Sequence, residues 1–290
     1  MDSSPLYFIT DLFEYALMAE VSATPKPGLV DRHDSGAHKD MNYDTFAASA
    51  AAIAPYLTQM ACMGYRWEGK SREALFQAIR PIGVLAERSM FEATGNVNTH
   101  KGMIFSMGTI AAASGLYYRI YHKFSPEKIL LMAGQMCSRT LEQDFAKING
   151  KNPRTHGELL YLRYGSKGIR GEAQKGFPSI REISLPALRK AKAEGLDDNE
   201  AHLNTLLALM TQVDDTNVLI RTNPSLLNYE KAEAAHILRL GGAATPKGMD
   251  ALRQLNEAFI KLNISPGGCA DLLAVTIFLY QLEQRKEPEA

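Results

Sequence analysis

The chain has 290 residues, of which 46% are hydrophobic and 22% are charged. Its 32 Lys and Arg residues are balanced by 32 Asp and Glu residues, so no global field is available to hold nucleic acid or an anionic membrane. Neither partner is expected, and an anionic ligand must be met by a local cluster of charges.

Cysteine usage and hydropathy predict a soluble, cytoplasmic protein. Cys62, Cys137 and Cys269 are far apart and show no metal-ligand spacing. The N-terminal sequence MDSSPLYFIT lacks the basic region and apolar stretch of a signal peptide. The longest apolar run, residues 272–280, is too short to span a bilayer.

Helical periodicity dominates the chain, and no alternating strand pattern is convincing. Pro55 is expected to kink the second helix, and Pro81 to split the third helix or to start a fourth. Capping residues mark the helix starts. They are Ser4 with Pro5, Asn42, Ser71, Ser125 with Pro126, Thr155 with Glu158, Ser179 with Glu182, Asp197 with Glu200, Pro224, Pro246 and Ser265. The prediction is one all-α domain over residues 1–290, with roughly ten or eleven helices.

Five connections contain more potentially functional residues than a simple link between two helices requires. Residues 24–41, 95–102, 165–178, 214–223 and 265–271 each place Gly or Pro beside charged residues or Asn. Ordinary connections between helices are shorter and less specific. These loops favour an enzyme.

The first of these loops contains TPKPGLVDR, residues 24–32. Residues before proline are extended, proline fixes its own φ, and Gly28 permits a turn with positive φ. Lys26 is therefore expected at a nearly fixed position. Glu20, at the end of the first helix, falls in the middle of its apolar face. An inward carboxylate needs a partner, a metal or a catalytic task, and an ion pair with Lys26 or Arg32 is the structural alternative.

The remaining loops could bind anions and Mg²⁺. Asp31, His38 and their acidic neighbours could bind a transition metal, but no HxxxH or HExxH pattern supports that, and the carboxylates suit Mg²⁺ better. GNVNTHKGM places Lys101 before a helix that begins near Gly102, where an anion is favoured, although an Asn or Thr cap beside a surface Lys explains the segment equally well.

The later loops add an Arg, carboxylates and glycines. In GIRGEAQKGFPS, Arg170 suits phosphate and Glu172 suits a base or metal ligand, unless the two form a plain surface pair. DDTN, residues 214–217, is typical of short acidic Mg²⁺ motifs. In SPGGCADLLA, Ser265 is expected as the N-cap, the two glycines allow close approach of a ligand or backbone, and Asp271 lies in the first turn, where the helix dipole favours it.

These motifs, in this order, resemble the triphosphoribosyl-dephospho-CoA synthase family over nearly the whole chain. The quoted segments are TPKPGLVDR, GAHKDM, NTHKG, RGEA, DTN and SPGGCADLLA. The resemblance implies an all-helical enzyme that transfers the 5-triphosphoribosyl group of ATP to the 2′-hydroxyl of 3′-dephospho-CoA and releases adenine. The product is the prosthetic-group precursor of the citrate lyase acyl carrier protein, passed on by an acyl carrier protein transferase. One departure is the run Arg221-Thr222-Asn223-Pro224, where Gly is expected after Arg.

The resemblance also implies site residues. From the chemistry of the reaction we expect Glu172 as the base, with Glu20, which lies outside the family motifs, second, and Asp215 and Asp31 as ligands of Mg²⁺. Residues expected to bind ATP or acceptor are Lys26, Pro27, Gly28, Asp31, His38, Asn98, His100, Lys101, Gly102, Arg170, Asn217, Ser265, Gly267, Gly268 and Asp271. Three alternatives remain open: the malonate decarboxylase counterpart of this reaction, a Mg²⁺-dependent ADP-ribosyl hydrolase-like enzyme, and a non-catalytic helical chaperone of a carrier protein.

Overall fold

The computed structural model describes residues 6, 8–69, 71–148, 153 and 155–285, and within them the chain is helical with no strand. The all-α prediction is confirmed. The α-helices are α1 (Phe8–Ser22), α2 (Tyr43–Tyr65), α3 (Arg72–Ala93), α4 (Lys101–Tyr121), α5 (Pro126–Ala146), α6 (His156–Tyr164), α7 (Gly168–Gln174), α8 (Leu185–Ala193), α9 (Asp198–Met210), α10 (Thr216–Arg221), α11 (Pro224–Arg239), α12 (Pro246–Leu262) and α13 (Gly267–Gln284). A π-helix spans Ser179–Ser184 and a 3₁₀ turn spans Gly242–Ala244.

The helix count exceeds the prediction because two expected loops contain short helices, α7 and α10. Pro81 does not split α3, and α2 likewise continues through Pro55. Both prolines lie on exposed faces, where water can satisfy the carbonyl that proline leaves unpaired. The expected start at Ser4 and Pro5 lies outside the described residues.

The core is built around α4, which packs against α2, α3, α5 and α13. Small residues let α2 and α4 approach closely. A Cβ on Gly115 would lie 1.9 Å from the carbonyl oxygen of Ala61, and one on Gly64 would lie 2.0 Å from that of Ala112. Any larger residue at either position would force the two helices apart.

Helix α2 is long and apolar enough to cross a membrane by length and composition alone, the one such helix found within the described residues. That test is also passed by core helices of soluble proteins. Ile53 and Leu57 of α2 are fully buried in the core that α2 forms with its neighbours.

Capping was predicted correctly at Asn42 and Asp197, where both bonds of a capping box form. Ser179 was predicted wrongly, because its hydroxyl donates to Glu172 and no capping bond forms. The Ser265 prediction was also wrong: Pro266 is the N-cap of α13, which leaves Asp271 just beyond the first turn.

Candidate active site

A cavity of about 990 Å³ lies where the N-terminal ends of α4, α10 and α13 meet α7 and the loop after α1. Its volume is at the upper end of the range for small-molecule sites. Most of the residues expected from sequence line it. They are Glu20, Lys26, His38, Asn98, His100, Lys101, Gly102, Glu172, Asp215, Asn217, Ser265, Gly267, Gly268 and Asp271.

Glu20 and Lys26 form an ion pair in the wall of this cavity. The two residues are 4% and 1% exposed, so the pair is almost completely removed from water. Burial raises the pKa of Glu20, and the Lys26 ammonium partly opposes that rise. The ion pair foreseen as the structural alternative is therefore present, and Glu20 neutralises the charge of Lys26.

Asp31 shapes the loop instead of facing the cavity. Its carboxylate accepts hydrogen bonds from the Thr24 hydroxyl at 2.9 Å and from the backbone N–H groups of Lys26, His33 and Asp34 at 2.8, 2.6 and 3.0 Å. Four donors occupy its lone pairs, and it is absent from the cavity lining. The expected roles in binding Mg²⁺ and ATP are not supported by this position.

Pro27 and Gly28 also support the loop without lining the cavity. Gly28 has φ +68°, and a Cβ there would lie 2.1 Å from the Ile264 carbonyl oxygen. Its N–H donates to Asn256 at 2.8 Å. Gly28 therefore brings this loop against the segment that precedes α13.

Asp215 joins two helix N-termini at the cavity. It caps α10 by accepting from the N–H groups of Asn217 and Val218, and its other oxygen accepts from the N–H of Cys269 in α13 at 2.8 Å. A Cβ on Gly268 would lie 3.0 Å from both carboxylate oxygens. Burial raises the pKa of Asp215 against the effect of these hydrogen bonds. Gly268 thus leaves room for the Asp215 carboxylate. The sequence had suggested a ligand or a backbone segment as the group that approaches these glycines.

Asp271 also lines this cavity, and both of its carboxylate oxygens have free acceptor capacity. No described residue forms a hydrogen bond or ion pair with it, although its Oδ2 lies against the Cα of Gly102, where an added Cβ would come within 2.4 Å. Burial, followed by the charges of Glu20 and Asp215, raises its pKa well above the ordinary value. A cation bound here would offset this concentration of negative charge.

His100 contributes hydrogen bonding rather than charge. The imidazole is 3% exposed, and its Nδ1 lies 2.6 Å from the Ser49 hydroxyl. Burial, with a smaller contribution from Lys26, lowers its pKa to about 3. The ring is therefore neutral at physiological pH and can offer hydrogen bonds but no positive charge to an anion.

The Lys101 ammonium is accessible at the cavity mouth and lies 2.9 Å from the Glu87 carboxylate.

Two further side chains hold the loop after α1 in place. A ring nitrogen of His38 lies 2.8 Å from the Ser265 hydroxyl, and burial lowers the pKa of this imidazole. Arg221, whose contacts the sequence left open, binds the carbonyl oxygen of Ala37 and the side chain of Asn263, each at 2.5 Å. It therefore ties the first loop to the end of α12.

Glu172 lines the cavity from α7 and is half-buried. Its two oxygens accept from the hydroxyl and N–H of Ser179 at 2.9 and 3.1 Å. Two bonds to one residue fix the plane of the carboxylate, and each oxygen retains a free lone pair.

Arg170 lies two residues before Glu172 in α7 but does not line this cavity. Its side chain lines a second, smaller cavity beside α3. Each position of a helix turns by about 100°, so these two side chains point about 200° apart, to opposite sides of α7. The expectation that Arg170 binds ATP together with the residues of the large cavity is not supported by this arrangement.

Glu230 was missed by the sequence reasoning. It is fully buried in α11, and neither carboxyl oxygen has a hydrogen-bond partner among the described residues. Its position between the buried Leu227 and Ala234 on one helical face is the signal that could have identified it. Burial raises its pKa to about 9, and the charge of Asp215 adds to the rise.

This carboxyl group predicts a pH-dependent stability. Between the ordinary value of 4.5 and about 9, the unfolded chain releases the Glu230 proton while the folded chain retains it. The free energy of unfolding should therefore fall as pH rises through this window, by at most ~1.4 kcal/mol per pH unit. Glu230→Gln cannot ionise, so its stability relative to the wild type should increase from pH 5 to pH 9 in denaturant unfolding.

The matched control for this measurement is Glu257→Gln, which replaces an exposed carboxylate on α12. Its unfolding free energy should follow that of the wild type at every pH. Parallel pH curves for Glu230→Gln and the wild type would show instead that Glu230 is ionised in the folded protein.

Metal binding has limited support from the protein alone. Within the described residues, no group of three or more His, Cys, Asp or Glu side chains is arranged to hold a metal ion. Mg²⁺ also binds through one or two carboxylates together with substrate phosphates. Asp271, with both oxygens free of hydrogen bonds, fits that second arrangement better than Asp215.

Comparisons with known proteins identify the family. The family model for ATP:dephospho-CoA triphosphoribosyl transferase matches residues 7–290. A 2-(5''-triphosphoribosyl)-3'-dephosphocoenzyme-A synthase of Klebsiella pneumoniae is 39% identical over 271 residues, which are 93% of this chain and 89% of the relative. A probable synthase of the same name from Lactiplantibacillus plantarum is 41% identical over 268 residues, covering 91% and 93%. No solved structure matches. The chain belongs to the ATP:dephospho-CoA triphosphoribosyl transferase family.

Proposed function

We propose that the large cavity is the site at which this chain transfers the triphosphoribosyl group of ATP to 3′-dephospho-CoA. Family membership makes the chain a transferase of this kind. The observation that supports this site is the convergence of five separate motif segments on one cavity. A cavity of this size can accept a large part of both substrates.

The reaction is a displacement at C1′ of the ATP ribose. The 2′-hydroxyl oxygen of the acceptor forms a bond to C1′, the bond from C1′ to the adenine nitrogen breaks, and adenine departs with that electron pair. Positive charge develops on the ribose, as in glycoside hydrolysis. The site must therefore remove the proton of the 2′-hydroxyl, assist the departure of adenine and bind the triphosphate.

Glu172 is the proposed base. Its carboxylate faces the cavity in an orientation fixed by Ser179, as proton transfer requires. Glu20, the second sequence candidate, is ion-paired with Lys26 in the cavity wall. That pairing favours a structural role for Glu20 and leaves Glu172 as the better candidate.

The triphosphate is proposed to lie at the N-terminus of α4, where backbone N–H groups and Lys101 attract anions. Lys167 and Lys175, which the sequence reasoning did not select, also line the cavity. They supply the positive charge that Arg170 and the neutral His100 do not. Mg²⁺ held by Asp271 would neutralise phosphate charge, and it would remove the repulsion between that carboxylate and the anion.

One assay tests the proposed function. The protein is incubated with ATP and Mg²⁺, with and without dephospho-CoA, and free adenine is measured. Adenine release that requires dephospho-CoA is the expected result. Release without the acceptor would favour the ADP-ribosyl hydrolase-like alternative, and no release would favour a non-catalytic carrier-protein chaperone.

The later fate of the product is also part of the proposal. We expect it to pass to an acyl carrier protein transferase in the cytoplasm, for the citrate lyase acyl carrier protein. The family description covers the transfer itself. Supplying purified transferase with each carrier protein in turn would distinguish citrate lyase from malonate decarboxylase as the destination.

Gly102→Ala tests the proposed role of Asp271. The added Cβ would lie 2.4 Å from Asp271 Oδ2, so the carboxylate must move. A displacement of about 1 Å can cost roughly 10²-fold in rate, and we expect such a loss in kcat/KM for ATP together with a higher Mg²⁺ requirement. Thermal stability should be preserved because Ala favours helix.

Gly157→Ala is the control, because Gly157 is likewise the second residue of its helix, α6, and is exposed away from the cavity. It should retain the kinetic constants of the wild type. Unchanged kcat/KM and Mg²⁺ dependence in Gly102→Ala would rule out a position-sensitive role for Asp271.

A further inference from the structure

The second cavity has a size and lining that suit one portion of a larger ligand. Its volume is about 190 Å³, below the usual range for a whole drug-sized molecule. Apolar side chains form most of its lining, among them Met60, Phe76, Ile104 and Phe105. Arg80 and Arg170 also line it, as do the carboxylates of Glu87 and Asp144.

Arg170 is free to meet an anion. Its residue is exposed, and no described residue forms a hydrogen bond or ion pair with its guanidinium. Arg80 is instead paired with Asp144 at 3.3 Å. A free guanidinium beside an apolar cavity suits a ligand that carries phosphate next to an apolar chain.

The two cavities share walls. On α4, Gly102 lines the large cavity while Ile104 and Phe105 line the small one. On α7, Glu172 and Arg170 divide in the same way. The ion pair of Lys101 with Glu87 joins a residue of the first cavity to one of the second. The two cavities therefore adjoin at the N-terminal end of α4, and a ligand whose reacting end occupies the large cavity would cross this rim to reach the small one.

We propose that the second cavity binds the pantetheine arm of the acceptor, with Arg170 at its diphosphate; this rests on the proposed transferase function. Dephospho-CoA is an adenosine diphosphate joined to a largely apolar arm that contains two amides. Its ribose hydroxyl must reach Glu172, and its diphosphate would then pass around the short helix α7 to Arg170 on the other side. The arm continues over the apolar lining, and ATP, which has no such arm, does not use this cavity.

The test fills the cavity and measures each substrate separately. Gly83 lines it, and a Cβ there would lie 3.8 Å from Met60, so Gly83→Leu extends into the space without a backbone clash. We expect its KM for dephospho-CoA to rise at least about tenfold, or ~1.4 kcal/mol, while its KM for ATP stays within about twofold. Arg170→Ala should show the same selectivity, and free pantetheine should compete with dephospho-CoA in the wild type but not in Gly83→Leu.

Leu85→Phe is the control, since Leu85 lies on the same helix, is half-exposed and does not line the cavity. Its two KM values should match the wild type. A wild-type KM for dephospho-CoA in both Gly83→Leu and Arg170→Ala would overturn the inference. Equal rises in both KM values would also overturn it, because the cavity would then support the fold in general. Absence of adenine release by the wild type would refute the proposed function, and the inference with it.

Discussion

Glu172→Gln is expected to lower the rate of adenine release by ~10²–10⁴-fold, the usual contribution of a general base. Gln has nearly the same shape as Glu and cannot accept the proton of the acceptor hydroxyl. The KM for ATP should change little, because this side chain is assigned to the acceptor. Single-turnover adenine release, with ATP binding measured separately, gives the two readouts.

Glu182→Gln provides the matched control. Glu182 is an exposed carboxylate of the adjoining π-helix, ion-paired with Arg181, and it does not line the cavity. Its adenine release should equal that of the wild type. Near-normal turnover in Glu172→Gln would exclude Glu172 as the base and redirect attention to Asp271.

Lys26→Met is expected to destabilise the fold by ~3–5 kcal/mol, because it leaves the buried Glu20 carboxylate without its cation. Denaturant unfolding at neutral pH measures the loss. Glu20 would respond by holding a proton, so part of the stability should return as pH falls.

The double variant Lys26→Met with Glu20→Gln separates the pair from the individual charges. It should recover much of the loss, because no unpaired buried charge remains. A stable Lys26→Met protein with a raised KM for ATP would contradict this expectation. It would show that Lys26 meets the triphosphate, as the sequence alone suggested.

The sequence singled out residues that lie together in the structure but could not assign a contact to each side chain. Motif residues far apart in the chain were expected to act together, and most of them line one cavity. Asp31 and Arg170 are exceptions for different reasons. The carboxylate of Asp31 accepts four hydrogen bonds within its own loop, and Arg170 faces a second cavity because of its rotation around α7.

The protonation states of the buried residues could be inferred only from the tertiary structure. The sequence shows that His100 precedes a helix, but only its burial in the packed core, with a smaller contribution from the charge of Lys26, keeps it neutral. Glu230 similarly reads as an ordinary helical Glu until its complete burial is seen. Burial of a titratable group depends on residues distant in sequence, so local patterns did not predict these pKa shifts.

The sequence by itself determined the all-α class, many helix starts, the loops that carry chemistry and the family resemblance. Helical periodicity and capping are local interactions, and a motif is a local string of residues. Only the tertiary structure decided that Lys26 pairs with Glu20, that Gly102 and Gly268 make room for Asp271 and Asp215, and that Arg170 serves a second cavity. Each of these contacts joins separate helices or loops, and its geometry exists only once the helices have packed.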